Sequence, residues 1–302
     1  VPDPSHPRIV IIGGGYAGSH AAVAARRAGG QVTVVDQDGL HGFLPRLAGV
    51  AAGRLRAGDA RTPLGELLGV QVRQGSAVRL DVDQRRVELA DGATVAYDGL
   101  VVTVGSRTAR SPVRGADEHA WSLHTPNDAL ALRVALRGTS RLVVVGGGAT
   151  GVQLAAEVAA AYPDLSVRLV EAGARLLPAE PRILGSSMRR LLDGVGVELH
   201  LGVQVSAIDA EGVDLADGQR LDGLVVWAGG WEADASALLP RAETHDGRVV
   251  IGRDLTVAGY DRVLAAGDIA AHRDVIGRPL AMSAQIAVQA GASAGAAAVA
   301  VA

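Results

Sequence analysis

The 302-residue sequence contains no cysteine. That single absence removes disulfide scaffolds, thiolate nucleophiles and CxxC redox pairs. Lysine is missing too, every basic residue being arginine, so no Schiff base can form and pyridoxal-type chemistry is excluded. Neither sign of charge dominates: 29 basic against 32 acidic residues leave a formal charge of −3, and no basic run exists. Nucleic acid and anionic membrane surfaces are therefore not expected as partners. The eight histidines show no metal-ligand spacing and no Ser-His-Asp order marks a hydrolase, so no metal site is expected. The opening VPDPSHPR reads as neither a signal peptide nor an anchor. The apolar tail IAVQAGASAGAAAVAVA (286–302) reads as too short and too rich in small residues for a spanning helix. These features predict a cytoplasmic protein that acts on small molecules, without support for membrane contact and with a homodimer left open.

Glycine is what the sequence has in excess, 40 residues clustered at the ends of apolar runs. RIVIIGGGYAGSHAA (8–22) and RLVVVGGGATGVQLAA (141–156) are nearly one string written twice. Each is a short β-branched run, the mark of a buried parallel strand, followed by Gly-x-Gly-x-x-Gly and an Ala-rich helix. The first unit reads strand 8–12, helix 16–28 and strand 31–35 closing on Asp36. The second reads strand 141–145, helix 149–161 and strand 166–170 closing on Glu171. Both are complete βαβ nucleotide-binding units. Gly13 makes the tight turn, Gly15 lets the backbone approach a pyrophosphate, and Gly18 allows close helix–strand packing, with the helix N-terminus facing the phosphates. Gly146, Gly148 and Gly151 repeat these roles. Asp36 and Glu171 stand where a carboxylate takes both ribose hydroxyls; the alternative is a solvated strand end. The charge of Glu171 would oppose a 2′-phosphate, so NADH is expected to be preferred over NADPH.

A quieter repeat follows each unit. Residues 72–106 and 197–230 share the order alternating strand, Asp-Gly turn, strand, then a fully apolar strand ending in glycine. The segment 106–133 carries Pro and polar turns and reads as the crossover between halves. A third apolar strand, DRVLAAGDIAA (261–271), ends in Gly267-Asp268 and leads to a helix expected to begin near Met282. The predicted fold class is α/β, with two Rossmann-like, three-layer ββα dinucleotide-binding domains. The first domain is expected over 1–110 and 234–302, the second over 111–233.

Three further strings, LVVTVGS with Gly105, LVVWAGG with Gly229 and RVLAAGDIA with Gly267-Asp268, complete a pattern. Over essentially its whole length the sequence resembles the two-dinucleotide-binding-domain flavoproteins of the pyridine nucleotide-disulfide reductase type. The resemblance implies FAD, held non-covalently by Gly13, Gly15, Tyr16, Ala17, Gly18, Asp36, Gln37, Arg46, Val78, Thr103, Gly105, Gly267, Asp268, Ala284 and Gln285, with Asp268 on the ribityl chain. It implies NAD at Gly146, Gly148, Thr150, Gly151, Gln153, Glu171 and Gly229.

The cysteines that disulfide reductases and sulfide:quinone oxidoreductases need are absent. FLPRLAGVAAG (43–53) and AQIAVQ (284–289) instead resemble the branch of type II NADH:quinone oxidoreductases. That branch implies hydride transfer from NADH to FAD and onward to a quinone or another small acceptor. It also implies that the helix near Met282 aims its N-terminus at the flavin. Gln285 and Gln289, four apart on one helix face, would border the acceptor pocket, and with Arg46 they are the candidate catalytic residues. Two alternatives use the same scaffold: a biosynthetic oxidation in which Arg46 receives an anionic substrate, and redox signalling of the apoptosis-inducing-factor kind. Three features depart from the branch. Gln153 replaces a Glu, Arg46 replaces an apolar residue, and the sequence stops at Ala302 with the branch's C-terminal region short or absent from it, either because the chain is naturally short or because a segment is missing. Trp227 and Trp231 flank a loop expected to contact the flavin and read as core or wall, with stacking on a cofactor ring as the alternative.

Overall fold

The computed structural model describes residues 6–109 and 111–302. The opening VPDPS and Arg110, where the sequence reading set its first domain boundary, lie outside the described residues. The main elements of the first part of the chain are β1 (Arg8–Ile12), α1 (Tyr16–Arg27), β2 (Gln31–Asp36), α2 (Leu47–Ala51), β3 (Gln71–Gln74), β4 (Ala77–Asp81), β5 (Arg86–Leu89), β6 (Thr94–Ala96) and β7 (Gly99–Val102). Next come α3 (Pro126–Leu136), β8 (Arg141–Val145), α4 (Ala149–Ala161), β9 (Ser166–Glu171), α5 (Arg182–Gly194), β10 (Glu198–Leu201), β11 (Val205–Ile208), β12 (Gly212–Leu215), β13 (Arg220–Asp222) and β14 (Leu224–Trp227). The chain closes with β15 (Val263–Ala265) and α6 (Ala284–Val301).

Two compact units form: one from the chain up to His41 with 62–107 and 232–302, the other from 42–61 with 108–231. The first unit is discontinuous, and residues 42–61, which lie inside the stretch 1–110 expected as the first domain's opening part, cluster with the second unit. The reason is burial. Leu47, Ala48, Gly49, Val50 and Ala51 are all buried, and α2 shares one apolar core with Leu132 and Leu136 of α3 and Leu154 and Val158 of α4. Arg54 adds an ion pair to Glu157 at 2.9 Å.

In the first unit a parallel sheet runs β15-β7-β1-β2-β3. Side chains alternate across a strand, and β1 uses both faces. Ile9 and Ile11 pack under α1 and α6, whereas Val10 and Ile12 pack against Val87 and Leu89 of the meander β4-β5-β6. This is the expected three-layer arrangement. The second unit repeats it with the sheet β10-β9-β8-β14. Leu142 and Val144 face the helices, while Val143 and Val145 face the meander β11-β12-β13. Even the irregularity is repeated: a register shift in β4 between Ala77 and Arg79 matches one in β11 between Val205 and Ala207.

One register is not repeated. Ile12 lies opposite Val102, but Val145 lies opposite Trp227. Aligned as strings, LVVTVGS and LVVWAGG match Thr103 to Trp227; in the sheets Val102 matches Trp227, one residue earlier. Such a slip exchanges the faces of a strand.

Two helices differ from the sequence reading. The crossover contains α3, started by a capping box in which Thr125 Oγ accepts from Asp128 N at 3.1 Å and Asp128 accepts from Thr125 N at 2.8 Å, with Pro126 in the first turn. The last helix begins at Ala284, not Met282, because Ser283 is extended and its Oγ accepts from Ile286 N. At 18 residues α6 is long and apolar enough to span a membrane by length and composition, contrary to the expectation of a tail too short. Within the first unit its small residues serve another end. Side chains at Gly291 and Gly295 would strike the carbonyls of Ala17 and Ala21, so the two glycines let α6 lie directly on α1.

Candidate dinucleotide sites

The carboxyl ends of β1, β2, β7 and β15 deliver Gly13, Asp36, Thr103 and the Gly267-Asp268 turn to one edge of the first sheet. The chain leaves β1 in opposite directions to β2 and β7, the topological switch where open α/β sheets bind ligands. Gly13 has φ +97°, its N–H donates to Val35 O at 2.8 Å, and a Cβ there would run into the Thr103 carbonyl. Gly18 is closed off by the Gly13 carbonyl and Thr103 Oγ1. Gly15 differs from both: a Cβ there would meet nothing within 4 Å. Beside it α1 opens with Tyr16 and Ala17, and no side chain caps its N–H groups, whereas Thr125 and Ser283 cap α3 and α6. Open space over a bare helix N-terminus suits a pyrophosphate.

Asp36 accepts from Gly14 N at 2.8 Å, Gly39 N at 2.8 Å and Asp38 N at 3.1 Å. A carboxylate has about four acceptor positions, so it still has capacity for a ribose hydroxyl. Gln37 is exposed next to it. Thr103 Oγ1 donates to Ile12 O at 2.8 Å and to Gly13 O at 3.0 Å, which braces the loop. Gly105 is left-handed at φ +74°. Asp268 Oδ2 accepts from Ser106 Oγ at 2.7 Å, and Gly267 (φ +80°) lies against Ala17, with no room for a side chain. Val78 is the extra residue of the meander bulge and is exposed. Ala284 and Gln285 open α6, and Gln285 and Gln289 are both exposed.

The sequence reading missed Ser19 and His41. Ser19 Oγ donates to Gly14 O at 2.8 Å, and His41 Nδ1 lies 2.9 Å from the same carbonyl and 3.0 Å from Ser19 Oγ, which assigns a proton to Nδ1. Both side chains are buried. The available signal was a hydroxyl on the inner face of an Ala-rich helix, where a polar group needs a partner.

The second unit builds the same loop. Gly146 (φ +116°) donates to Val170 O at 2.8 Å and abuts the Ala228 carbonyl, Gly148 faces open space, and Gly151 abuts the Gly146 carbonyl. Thr150 lies in the uncapped first turn of α4. Glu171 accepts from Gly147 N and Gly173 N, each at 2.6 Å. Gln153 Nε2 donates to Pro45 O at 2.6 Å. An ionised Glu, with no proton to give a carbonyl, could not make this bond. Arg46 donates to Asp59 O at 2.7 Å and lies over the Phe43 ring at 5.2 Å. It belongs to the second unit, whereas Gln285 and Gln289 belong to the first. The register slip moves Gly229 out of line with Gly105. A Cβ on Gly229 would meet the Trp227 ring, and the left-handed position is taken by Gly230 at φ +133°. Trp231 packs on His124 with ring centroids 4.4 Å apart, a wall role.

The family model for pyridine nucleotide-disulphide oxidoreductases matches residues 7–291, and the chain belongs to that family. Within it, the chain is 33% identical to an NADH dehydrogenase-like protein of Mycobacterium tuberculosis, over 88% of this chain and 73% of the relative. It is 32% identical to the type II NADH:quinone oxidoreductase NdhA of the same organism, over 87% of this chain and 66% of that one. Solved structures show the fold. A ferredoxin reductase from Rhodopseudomonas palustris superposes with a TM-score of 0.85 at 23% identity, covering 97% of this chain and 76% of the other. NDH2 from Plasmodium falciparum in complex with NADH gives 0.77 at 19% identity, covering 87% and 64%.

Proposed function

We propose that the protein is an FAD-dependent NADH dehydrogenase that delivers the electron pair to a quinone-like small acceptor. The observation that carries this reading is the duplicated loop with an open middle glycine, joined in the first unit alone by the Ser106–Asp268 pair and the Gly267 turn. Held by the first unit, FAD would supply two-electron redox chemistry between NADH and the acceptor; the hydride accounts for both electrons and one of the hydroquinone's two protons, and solvent for the other. The chain's own residues bind and orient. Asp36 and Glu171 receive ribose hydroxyls, the uncapped starts of α1 and α4 receive pyrophosphate, and Asp268 receives the ribityl chain. The Glu171 carboxylate, fixed by two backbone N–H groups, sets NADH above NADPH by charge repulsion. Gln285 and Gln289 present neutral amides suited to a quinone carbonyl. The relatives' names support the quinone.

Anaerobic mixing tests the proposal. NADH should bleach the bound flavin faster than NADPH, Glu171→Ala should narrow that gap, and Gln285→Ala should slow reoxidation by a soluble quinone by about tenfold while leaving reduction within a few-fold. Protein that takes up no flavin ends the proposal. Slow reduction with normal reoxidation in Gln285→Ala would move that residue to the nicotinamide side.

A further inference from the structure

The turn that carries Asp268 is held from behind by two side chains that belong to no sequence motif. His272 and Arg248 are both more than nine-tenths buried. Gly267 N donates to His272 Nε2 at 3.1 Å. Arg248 Nη2 donates to Ala270 O at 2.5 Å and Nη1 to Leu280 O at 2.8 Å, while Arg248 Nε has no partner among the described residues. Val249 adds two backbone bonds, to Ile269 O and from Ala271 N, each 2.8 Å. The imidazole can accept from Gly267 only in the neutral form with its proton on Nδ1. A second proton would set an N–H of the ring against the N–H of Gly267.

We propose that His272 is a positioning residue for the flavin, and that with Arg248 it latches the Gly267-Asp268 turn and lets go when protonated. The inference rests on the reading that Asp268 meets the flavin. Two groups face the ring from neighbouring segments: Arg248 opposes its protonation and Asp268 favours it, while His245, Asp246 and Arg273 line the adjoining cleft. Burial first, and the Arg248 charge second, hold the His272 pKa below its usual value. The sign follows. A native pKa below the unfolded value leaves the latch intact above the ordinary histidine range, about pH 6.5, and loses it as pH falls through the lowered native value.

The test is the rate of FAD release from the holoprotein against pH. For the wild-type protein, release should speed up by about tenfold or more between about pH 7.5 and 5.5. His272→Gln keeps an acceptor near Nε2 but does not titrate. It should stay within about threefold of wild type at neutral pH and remain flat on acidification. Arg248→Met should move the onset of release to higher pH, which loss of packing alone would not do. A His272→Gln curve that follows wild type, or an unmoved onset in Arg248→Met, overturns the latch. If the chain takes up no flavin, the functional reading fails while the latch is judged on thermal unfolding of the protein as purified. Loss of stability below about pH 6.5 that His272→Gln abolishes upholds the latch, and parallel curves refute it.

Discussion

The two glycine loops reach the same backbone geometry by different means. In the first, the carbonyl of Gly14 is held by the Ser19 hydroxyl and the His41 ring, and Thr103 Oγ1 braces the carbonyls of Ile12 and Gly13. In the second, the matching carbonyl of Gly147 is held by the backbone N–H of Leu177 at 2.8 Å, and Ala228 stands in the place of Thr103. A loop fixed by several buried side-chain bonds is fixed before any ligand arrives, which suits a group that stays bound. A loop with fewer ties suits a nucleotide that comes and goes. Copying a motif therefore copies its shape, while the neighbours around it decide how rigid the shape is.

Closing the loops one at a time should have the largest effect. Gly18→Val forces a side chain into the Gly13 carbonyl and Thr103, so the purified protein should lack flavin. Gly151→Val should keep its flavin and lose its response to NADH by at least a hundredfold, read by flavin absorbance and stopped-flow mixing. Equal loss of flavin in both variants would erase the distinction between the copies.

Breaking only the first loop's extra ties comes next. Ser19→Ala leaves the buried Gly14 carbonyl with fewer donors and should cost about 1–3 kcal/mol in unfolding free energy and FAD retention. At the equivalent position of the second copy the residue is Val152, so Val152→Ala should cost only packing, about 1 kcal/mol, and leave FAD retention alone. Denaturant melts and flavin titration separate the two.

The Gln153 amide sharpens the comparison from the second unit. Gln153→Glu replaces the donor to Pro45 O by a carboxylate facing a carbonyl, which should destabilise the protein by about 1 kcal/mol at neutral pH, since the bond is solvent-exposed, and by less under acid, where a protonated Glu can donate again. A stability gap that does not shrink with acid would place the bond elsewhere.

The smallest effect is expected at the strand starts. Asp98 receives Arg8 through a fork at 2.8 and 3.0 Å plus Arg8 N at 2.9 Å, and these bonds bring its pKa down to about 2. Asp222 meets Arg141 at 3.5 Å on an exposed edge. Asp98→Asn should cost about 1 kcal/mol or less, discounted for partial exposure, and Asp222→Asn nothing measurable. Because the native pKa lies below the unfolded one, the Asp98 contribution is present above about pH 4 and fades as pH falls toward its native value.

Much of this was legible in the string. The alternation of Ile9 to Ile12, the glycine spacing and the acidic strand ends are local patterns, and local patterns fix βαβ units. What stayed hidden was set by packing over long separations. Nothing near residue 43 announces that α2 joins the core of α3 and α4. The LVV repeat invited a pairing of Gly105 with Gly229 that the register awards to Gly230. Thr125-Pro126-Asn127-Asp128 did announce a helix, and the polar composition around it drew the reading toward a loop. Ser19, His41, His272 and Arg248 act through carbonyls and N–H groups of the backbone, which a sequence does not display.

The placement of α2 bears on how the protein is made. Its apolar residues leave the ribosome with the first unit, but the helices that bury them follow up to roughly 100 residues later. At about 5–20 residues per second this is a wait of some 5–20 seconds. During synthesis Leu47 and Val50 have no mate, so the nascent chain passes through a period in which this short helix must stay loose or be shielded. A second unit excised as 108–231 would lack it permanently, and would be expected to expose the apolar faces of α3 and α4 that α2 covers.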